Sequence, residues 1–180
     1  MAEKKLKDRT LEIMVTPTLS WFVNTIVGSF TTYVQTGSKP KMDAVVNQMS
    51  GYIDLSSMPD DPDYNDNVDI TLTLNTQYLK DQNGIDMQAR FAKDGEGELP
   101  GEGALWFCKN AVNGRKDVTP ITVPDMHVIR RNDKTVIIDD DTPLASPPYT
   151  FCMGIVLPTR NNEFVLIDPI LSTKGTGIGD

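Results

Sequence analysis

The closing stretch of the chain decides its fold class. It reads YTFCMGIVL over residues 149–157, PTRNN over residues 158–162 and EFVLIDPIL over residues 163–171. Two apolar runs flank a short polar loop, which is the pattern of a β-hairpin. Each run is apolar on both faces over part of its length, as is typical of central strands in a β-sandwich core. This stretch therefore predicts an architecture, and it carries no catalytic motif.

Upstream of the hairpin, short runs of β-type residues recur at a spacing of roughly 8–12 residues, which is typical of a sandwich or barrel. The clearest run covers residues 68–75, where every second residue is apolar: Val68, Ile70, Leu72 and Leu74. That alternation predicts a strand with one buried face and one solvated face. About nine or ten such strands are expected.

One segment favours a helix. Thr16 followed by Pro17 resembles an N-cap with proline at the first helical position, and apolar residues follow at helical spacing. We expect a short helix from Pro17 to about Val27. The predicted fold is mainly β: an antiparallel β-sandwich with one or two short helices.

The length of 180 residues predicts one domain. Residues 1–9 are expected to be a mobile leader, residues 10–173 a single β-sandwich domain, and residues 174–180 a flexible tail. The net charge of −8 argues against binding to nucleic acid or to an anionic membrane surface. Apolar runs are too short for a transmembrane helix. We expect a cytoplasmic protein.

The acidic segment of residues 56–67 is expected to be an irregular loop. Oxygen-bearing side chains alternate through it and just beyond it: Asp61, Asp63, Asn65, Asn67 and Asp69. Their rhythm is similar to that of a calcium-binding loop. Asp66 stands where an EF-hand has glycine, and Leu72 stands where it has glutamate, so an EF-hand is excluded. An irregular calcium site and a solvated acidic loop both stay open, and no other cofactor is expected.

Three further groups of residues are candidates for catalysis or redox chemistry. Cys108 and Cys152 lie in apolar runs and are expected to be reduced thiols, although one bridge is possible. Either one with His127, the single histidine, would form a cysteine–histidine dyad, but a partly buried histidine is the simpler interpretation. Acidic residues in the glycine-rich segment 93–103 are expected to be too mobile for glycoside hydrolysis: Glu96, Glu98 and Glu102.

The order of elements resembles that of the AidA/PixA family of bacterial inclusion-body proteins. The matching residues are an opening LEIMVTPTLSWFVN, a strand ending at Arg90, the aromatic strand ALWFCKN, and Tyr149, Phe151, Asp168, Pro169 and Ile170 near the end. The chain departs from the family at Ala89 and Ile167, where tryptophan is usual. The resemblance implies a cytoplasmic β-sandwich that accumulates in inclusions, and it implies no catalytic residues.

We therefore expect a non-enzymatic β-sandwich that self-associates into intracellular inclusions or ordered assemblies, with itself as partner. Because repulsion at a net charge of −8 opposes packing, association should strengthen as pH falls toward 4.6. The alternative is a calcium- or glycan-binding module that uses the acidic loops, with Trp21 and Trp106 as stacking residues.

Overall fold

The structure is a computed structural model that describes residues 5–108, 118–141 and 149–171. These residues form ten strands and two single-turn 3-10 helices, Leu55–Ser57 and Pro158–Arg160. The strands are β1 (Lys7–Phe22), β2 (Thr25–Lys39), β3 (Tyr64–Leu74), β4 (Arg90–Phe91), β5 (Leu105–Cys108), β6 (Pro120–Ile121), β7 (Met126–Asn132), β8 (Thr135–Asp140), β9 (Thr150–Leu157) and β10 (Glu163–Leu171).

The strands form two sheets. The first has the order β2-β1-β3-β8-β7, and the second has the order β10-β9-β5-β6, with β4 also pairing with β9. One cluster of buried apolar side chains takes members from both sheets. The prediction of a mainly β fold is confirmed.

The prediction of a wholly antiparallel arrangement is wrong. Among the described strands, β1 pairs with β3 in parallel, and the other pairs are antiparallel. The reason lies in the connection between β2 and β3. Residues 40–63 are long enough to carry the chain across β1, and a parallel pair requires a crossover of that kind.

The predicted helix from Pro17 to about Val27 is also wrong, and no α-helix occurs in the part of the chain that the structure describes. Pro17 lies in β1, opposite Thr31 of β2. The carbonyl of Val15 points toward β3 and accepts a hydrogen bond from the amide of Asn75. Pro17 is two residues further on, so its nitrogen points to the same side, beyond the last pairing with β3. The missing N–H of proline therefore removes no ladder hydrogen bond.

Three other boundaries differ from expectation. β1 begins at Lys7, so the end of the expected leader belongs to the sheet, whereas residues 1–4 and the expected tail lie outside the described residues. β3 begins at Tyr64, inside the expected acidic loop. The closing hairpin is confirmed as β9 and β10, but β10 is the terminal strand of its described sheet and only β9 is central.

The core of the first sheet shows why the alternation in residues 68–75 was informative. Ile70 of β3 lies opposite Leu11 of β1 on one side and Ile138 of β8 on the other. All three side chains are fully buried, and the other apolar residues of that alternation are buried with them. A period of two thus places one face of β3 in the core and leaves its threonines outside it.

Gly154 is a point of close approach in the second sheet. Its amide donates to the carbonyl of Ala104, and its carbonyl accepts from the amide of Ala92. A Cβ atom at this position would meet the ring of Phe164 and would lie 2.6 Å from the carbonyl oxygen of Gly103. Glycine is required here because no side chain fits between the ring and the neighbouring backbone.

The buried hydroxyl of Thr31 generates a stability prediction. This side chain is fully buried, and its oxygen has no hydrogen-bond partner among the described residues. Thr31→Val keeps the β-branched shape and removes the polar atom, so we expect the free energy of unfolding to rise by about 1 kcal/mol. Urea denaturation would measure it, with Thr32→Val on the opposite face of β2 as the control expected to change stability little. A loss of stability in Thr31→Val would contradict this account.

Candidate functional site

The acidic segment is organised by its own backbone. A carboxylate oxygen of Asp61 accepts the amide of Asp63 at 2.9 Å, and the side-chain oxygen of Asn65 accepts the amide of Asn67 at 3.0 Å. Asn65, Asn67 and Asp69 lie within β3. Their side chains are thus held by turns and by the sheet, and they do not form a loop that closes around one point.

A guanidinium group lies beside this segment. Arg9 of β1 is 2% exposed, and its Nε and Nη1 each donate at 2.8 Å, to the carbonyls of Asn65 and Pro59 respectively. The register of β1 against β3 shifts between Lys7 and Arg9, which leaves extra residues of β3 bulged around the side chain. A buried arginine therefore satisfies carbonyl oxygens of the kind that a calcium ion would use.

Negative charge gathers on the solvated face of the first sheet. The pKa of Asp69 is raised, chiefly by its partial burial and then by the nearby carboxylates of Asp139, Asp8 and Asp141, whereas Arg131 opposes the shift. Asp139 is directly opposite Asp69 on β8. Within residues 5–108, 118–141 and 149–171 no group of three or more His, Cys, Asp or Glu side chains has the arrangement to hold a metal ion. The irregular calcium site stays a prediction.

The two cysteines and the histidine lie in different sheets. Cys108 is on β5 and Cys152 is on β9, and both are buried, without a disulfide between them, in a small apolar cluster of the second sheet. His127 is on β7 of the first sheet, opposite Asp139, and its side chain is exposed. No hydrogen bond joins it to either thiol among the described residues. The structure does not assemble the cysteine–histidine dyad.

The acidic residues of the segment 93–103 are fixed, contrary to the expectation that this segment is mobile. Arg90 donates from Nη1 and Nη2 to the two carboxylate oxygens of Glu96, at 2.6 and 2.7 Å. Glu102 is buried, and one of its oxygens accepts the amides of Glu98 and Leu99. The carboxylates of Glu96 and Glu102 thus stabilise the conformation of their own loop.

The end of the β1–β2 hairpin is clamped by the opposite sheet. Arg160 stacks over the ring of Trp21, with its guanidinium carbon 5.0 Å from the ring centroid, and donates to the side chain and carbonyl of Asn24. Trp21 in turn donates its indole N–H to the carbonyl of Lys80. Trp106 is buried, with its indole N–H bonded to Val118. Neither tryptophan therefore presents an open ring face for stacking on a sugar.

The same hairpin exposes a group of large apolar side chains. Four of them lie within residues 22–30, and their exposed fractions are 69% for Phe22, 79% for Val23, 61% for Val27 and 44% for Phe30. Val27 bulges outward where the register between β1 and β2 shifts, and Val23 forms the tip with Asn24, both at positive φ. We call residues 18–30 the apolar hairpin end.

Sequence reasoning missed this surface, although the signal was present. Between Glu12 and Lys39 the chain has 26 consecutive residues without a charged side chain or histidine. Elsewhere the sequence is acidic, so a charge-free stretch of this length is unusual for a solvated hairpin. The predicted helix obscured it, because a helix would have turned the apolar residues of this stretch toward the core.

Comparison with known proteins gives no relative. No family model, no curated protein and no solved structure matches this chain. The resemblance to the AidA/PixA family stays a prediction. The described residues contain no helix with the length and apolarity needed to cross a membrane.

The buried Arg9 generates a second stability prediction. Arg9→Met keeps much of the side-chain volume but leaves the carbonyls of Asn65 and Pro59 without their donor, so we expect a loss of roughly 2–4 kcal/mol in the free energy of unfolding. Arg131→Met is the matched control, because it removes the same charge from an exposed position and should change stability by less than about 0.5 kcal/mol. Chemical denaturation of both variants measures this, and equal losses would refute the role assigned to Arg9.

The ion pair in the segment 93–103 makes stability depend on pH. Its hydrogen bonds from Arg90 lower the pKa of Glu96 from 4.5 to about 2. A depressed carboxyl pKa adds stability above pH 4.5 that disappears as pH falls toward 2. Glu96→Gln should therefore be less stable than the wild type near neutrality and should lose less stability between pH 4.5 and 2. Thermal unfolding across that range measures both slopes, with Arg90→Met expected to flatten the profile in the same way.

Proposed function

We propose that this chain is a non-enzymatic, self-associating β-sandwich protein that forms ordered assemblies in the cytoplasm. The two sheets would face one another across the shared apolar cluster, which contains buried residues from both. The observation that carries the proposal is the apolar hairpin end, a set of exposed apolar side chains within the uncharged stretch from Ile13 to Ser38. Contiguous apolar patches of more than a few hundred Å² are rare on monomeric proteins and commonly mark interfaces.

Electrostatics favours a second copy of the chain as the occupant. Each molecule carries a net charge of −8, so two copies repel one another over most of their surfaces. The stretch from Ile13 to Ser38 is free of charge, and like molecules can approach there with the least repulsion. A basic partner would instead gain most binding energy at the acidic face around Asp69, which is distant in sequence from the apolar hairpin end.

β2 is the terminal strand of its described sheet, and its outer side is covered in part. The Tyr33 amide donates to the carbonyl of Gln48, the Ser29 hydroxyl donates to the carbonyl of Leu166 in β10, and Thr31 is fully buried. The exposed part of β2 is its start, at Thr25 and Val27. A surface there that contacts its own copy about a twofold axis is self-complementary.

β2 also lacks the residues that usually keep a terminal strand from contacting other chains. Natural proteins protect edge strands with lysine, proline or other charged side chains. Between Thr25 and Ser38, β2 has none of these, and it is rich in β-branched and aromatic residues. Such a composition is typical of segments that pair with other chains. The resemblance to inclusion-body proteins, which stays a prediction, agrees with this proposal.

A lysine within the apolar hairpin end tests the proposal. Val27→Lys places a charge among the exposed apolar side chains, and Met49→Lys makes the same change in net charge at a site equally exposed, 61% in each case. We expect Val27→Lys to raise the dissociation constant of self-association by about tenfold or more, as at an interface centre, and Met49→Lys to leave it near the wild-type value.

Sedimentation velocity over a range of concentrations measures both variants. In the wild type, association should strengthen when salt screens the net charge or when pH approaches 4.6. A wild-type protein that stays monomeric at the highest concentration would refute self-association. Equal weakening by the two lysine variants would refute the hairpin as the interface.

A further inference from the structure

Two thiols from neighbouring strands lie against each other in the second sheet. The Sγ atoms of Cys108 and Cys152 are 3.4 Å apart, although 44 positions separate the residues in sequence. In the ladder between β5 and β9, Cys108 is opposite Thr150 and Cys152 is opposite Trp106, so the cysteines are diagonal neighbours on one face. Both side chains are buried, with 2% and 0% of their surface exposed.

Apolar side chains surround the pair. The thiols share a separate apolar cluster with Trp106 and Val118, and the partly buried Phe164 and Leu166 pack against it. The hydrogen bond from Cys152 lowers the pKa of the Cys108 thiol, and burial opposes that shift. Cys108 also lies 3.8 Å from the carbonyl oxygen of Thr150. Sulfur reactivity follows thiolate character, and the neighbouring thiol favours that character at Cys108.

We propose that Cys108 and Cys152 form a modification site: a dithiol that hydrogen peroxide oxidises to an intramolecular disulfide and that a dithiol reductant restores. In the first step the Cys108 thiolate attacks one peroxide oxygen, the O–O bond breaks, and a sulfenic acid and hydroxide form. In the second step the sulfur of Cys152 attacks Sγ of Cys108 and displaces the sulfenic oxygen as water. Two thiols and one peroxide thus give one disulfide and two waters, and the two electrons pass from sulfur to oxygen.

The two sulfurs are close, but bond formation also requires the strands to shift. A disulfide has a sulfur–sulfur distance of about 2.05 Å, so the two sulfurs must approach by about 1.4 Å. Diagonal neighbours are typically about 7–8 Å apart, above the roughly 4.4–6.8 Å that usually separates the Cα atoms of a disulfide. Side-chain rotation therefore supplies part of the movement, and a shift of β5 against β9 supplies the rest. We therefore infer a bond that reductants reopen readily, which suits a reversible modification better than a permanent brace.

Disulfide formation between Cys108 and Cys152 does not require self-association. The pair lies on the second sheet, and the apolar hairpin end lies on the first, so oxidation can be measured in monomer or assembly. It also differs from the dyad considered for hydrolysis, because it requires only the two sulfurs and an oxidant.

Thiol counting on the native protein tests the proposal. After treatment with hydrogen peroxide, quenching and alkylation in denaturant, the wild type should lose both alkylatable thiols, and its mass should fall by about 2 Da with no added oxygen. Dithiothreitol should restore both thiols. The melting temperature of the wild type should rise by several degrees in the oxidised form, because a crosslink between β5 and β9 restricts the unfolded chain.

Two single variants serve as matched controls. Cys108→Ser and Cys152→Ser each keep one thiol, so neither should show the mass loss, and peroxide should leave their melting temperatures unchanged. Two fully alkylatable thiols in the peroxide-treated wild type would overturn the proposal. So would a disulfide that forms only between molecules, or only after the protein has been unfolded.

Discussion

Along residues 10–15, β1 lies between two strands that run in opposite directions, β2 antiparallel to it and β3 parallel to it. The parallel partner forces the chain to cross from one side of β1 to the other, over residues 40–63. The crossing ends where β3 begins. Arg9 stabilises this point, because its guanidinium donates to the carbonyl of Pro59 before β3 and to the carbonyl of Asn65 within it. The acidic segment is in this sense part of the crossover, and its polar side chains stabilise the turns that complete it.

The same arrangement explains the contrast between the two ends of β1. Its first half is flanked on both sides and contributes buried residues such as Leu11 to the core. Beyond Val15 the β3 pairing ends, and β1 continues with β2 as a two-stranded hairpin. A two-stranded hairpin is marginally stable alone. The clamp from Arg160 on Trp21 and Asn24 supplies support from the second sheet, while the outer face of the hairpin stays apolar and exposed.

How much of this could be predicted depends on whether the signal is local. The alternation from Val68 to Leu74 identifies a strand with one buried face, because side chains alternate between the two faces of a strand. The continuous apolar runs of β9 and β10 identify strands in which both faces are apolar. Pro17 led to a wrong helix prediction because its helical signal is local. Whether a strand tolerates proline there depends on whether its nitrogen faces a partner, and that is decided by where β3 ends. The 3.4 Å contact between Cys108 and Cys152 and the burial of Arg9 are consequences of register across many residues, which no single segment specifies.

The crowding at Gly154 has a consequence for how this chain can change during evolution. A Cβ atom there would meet the ring of Phe164 and the carbonyl oxygen of Gly103 at 2.6 Å. A smaller residue at 164 would remove only the first clash, because the second is with the backbone of the neighbouring segment. In descendants of this sequence, position 154 should therefore stay glycine even where the aromatic ring at 164 is lost.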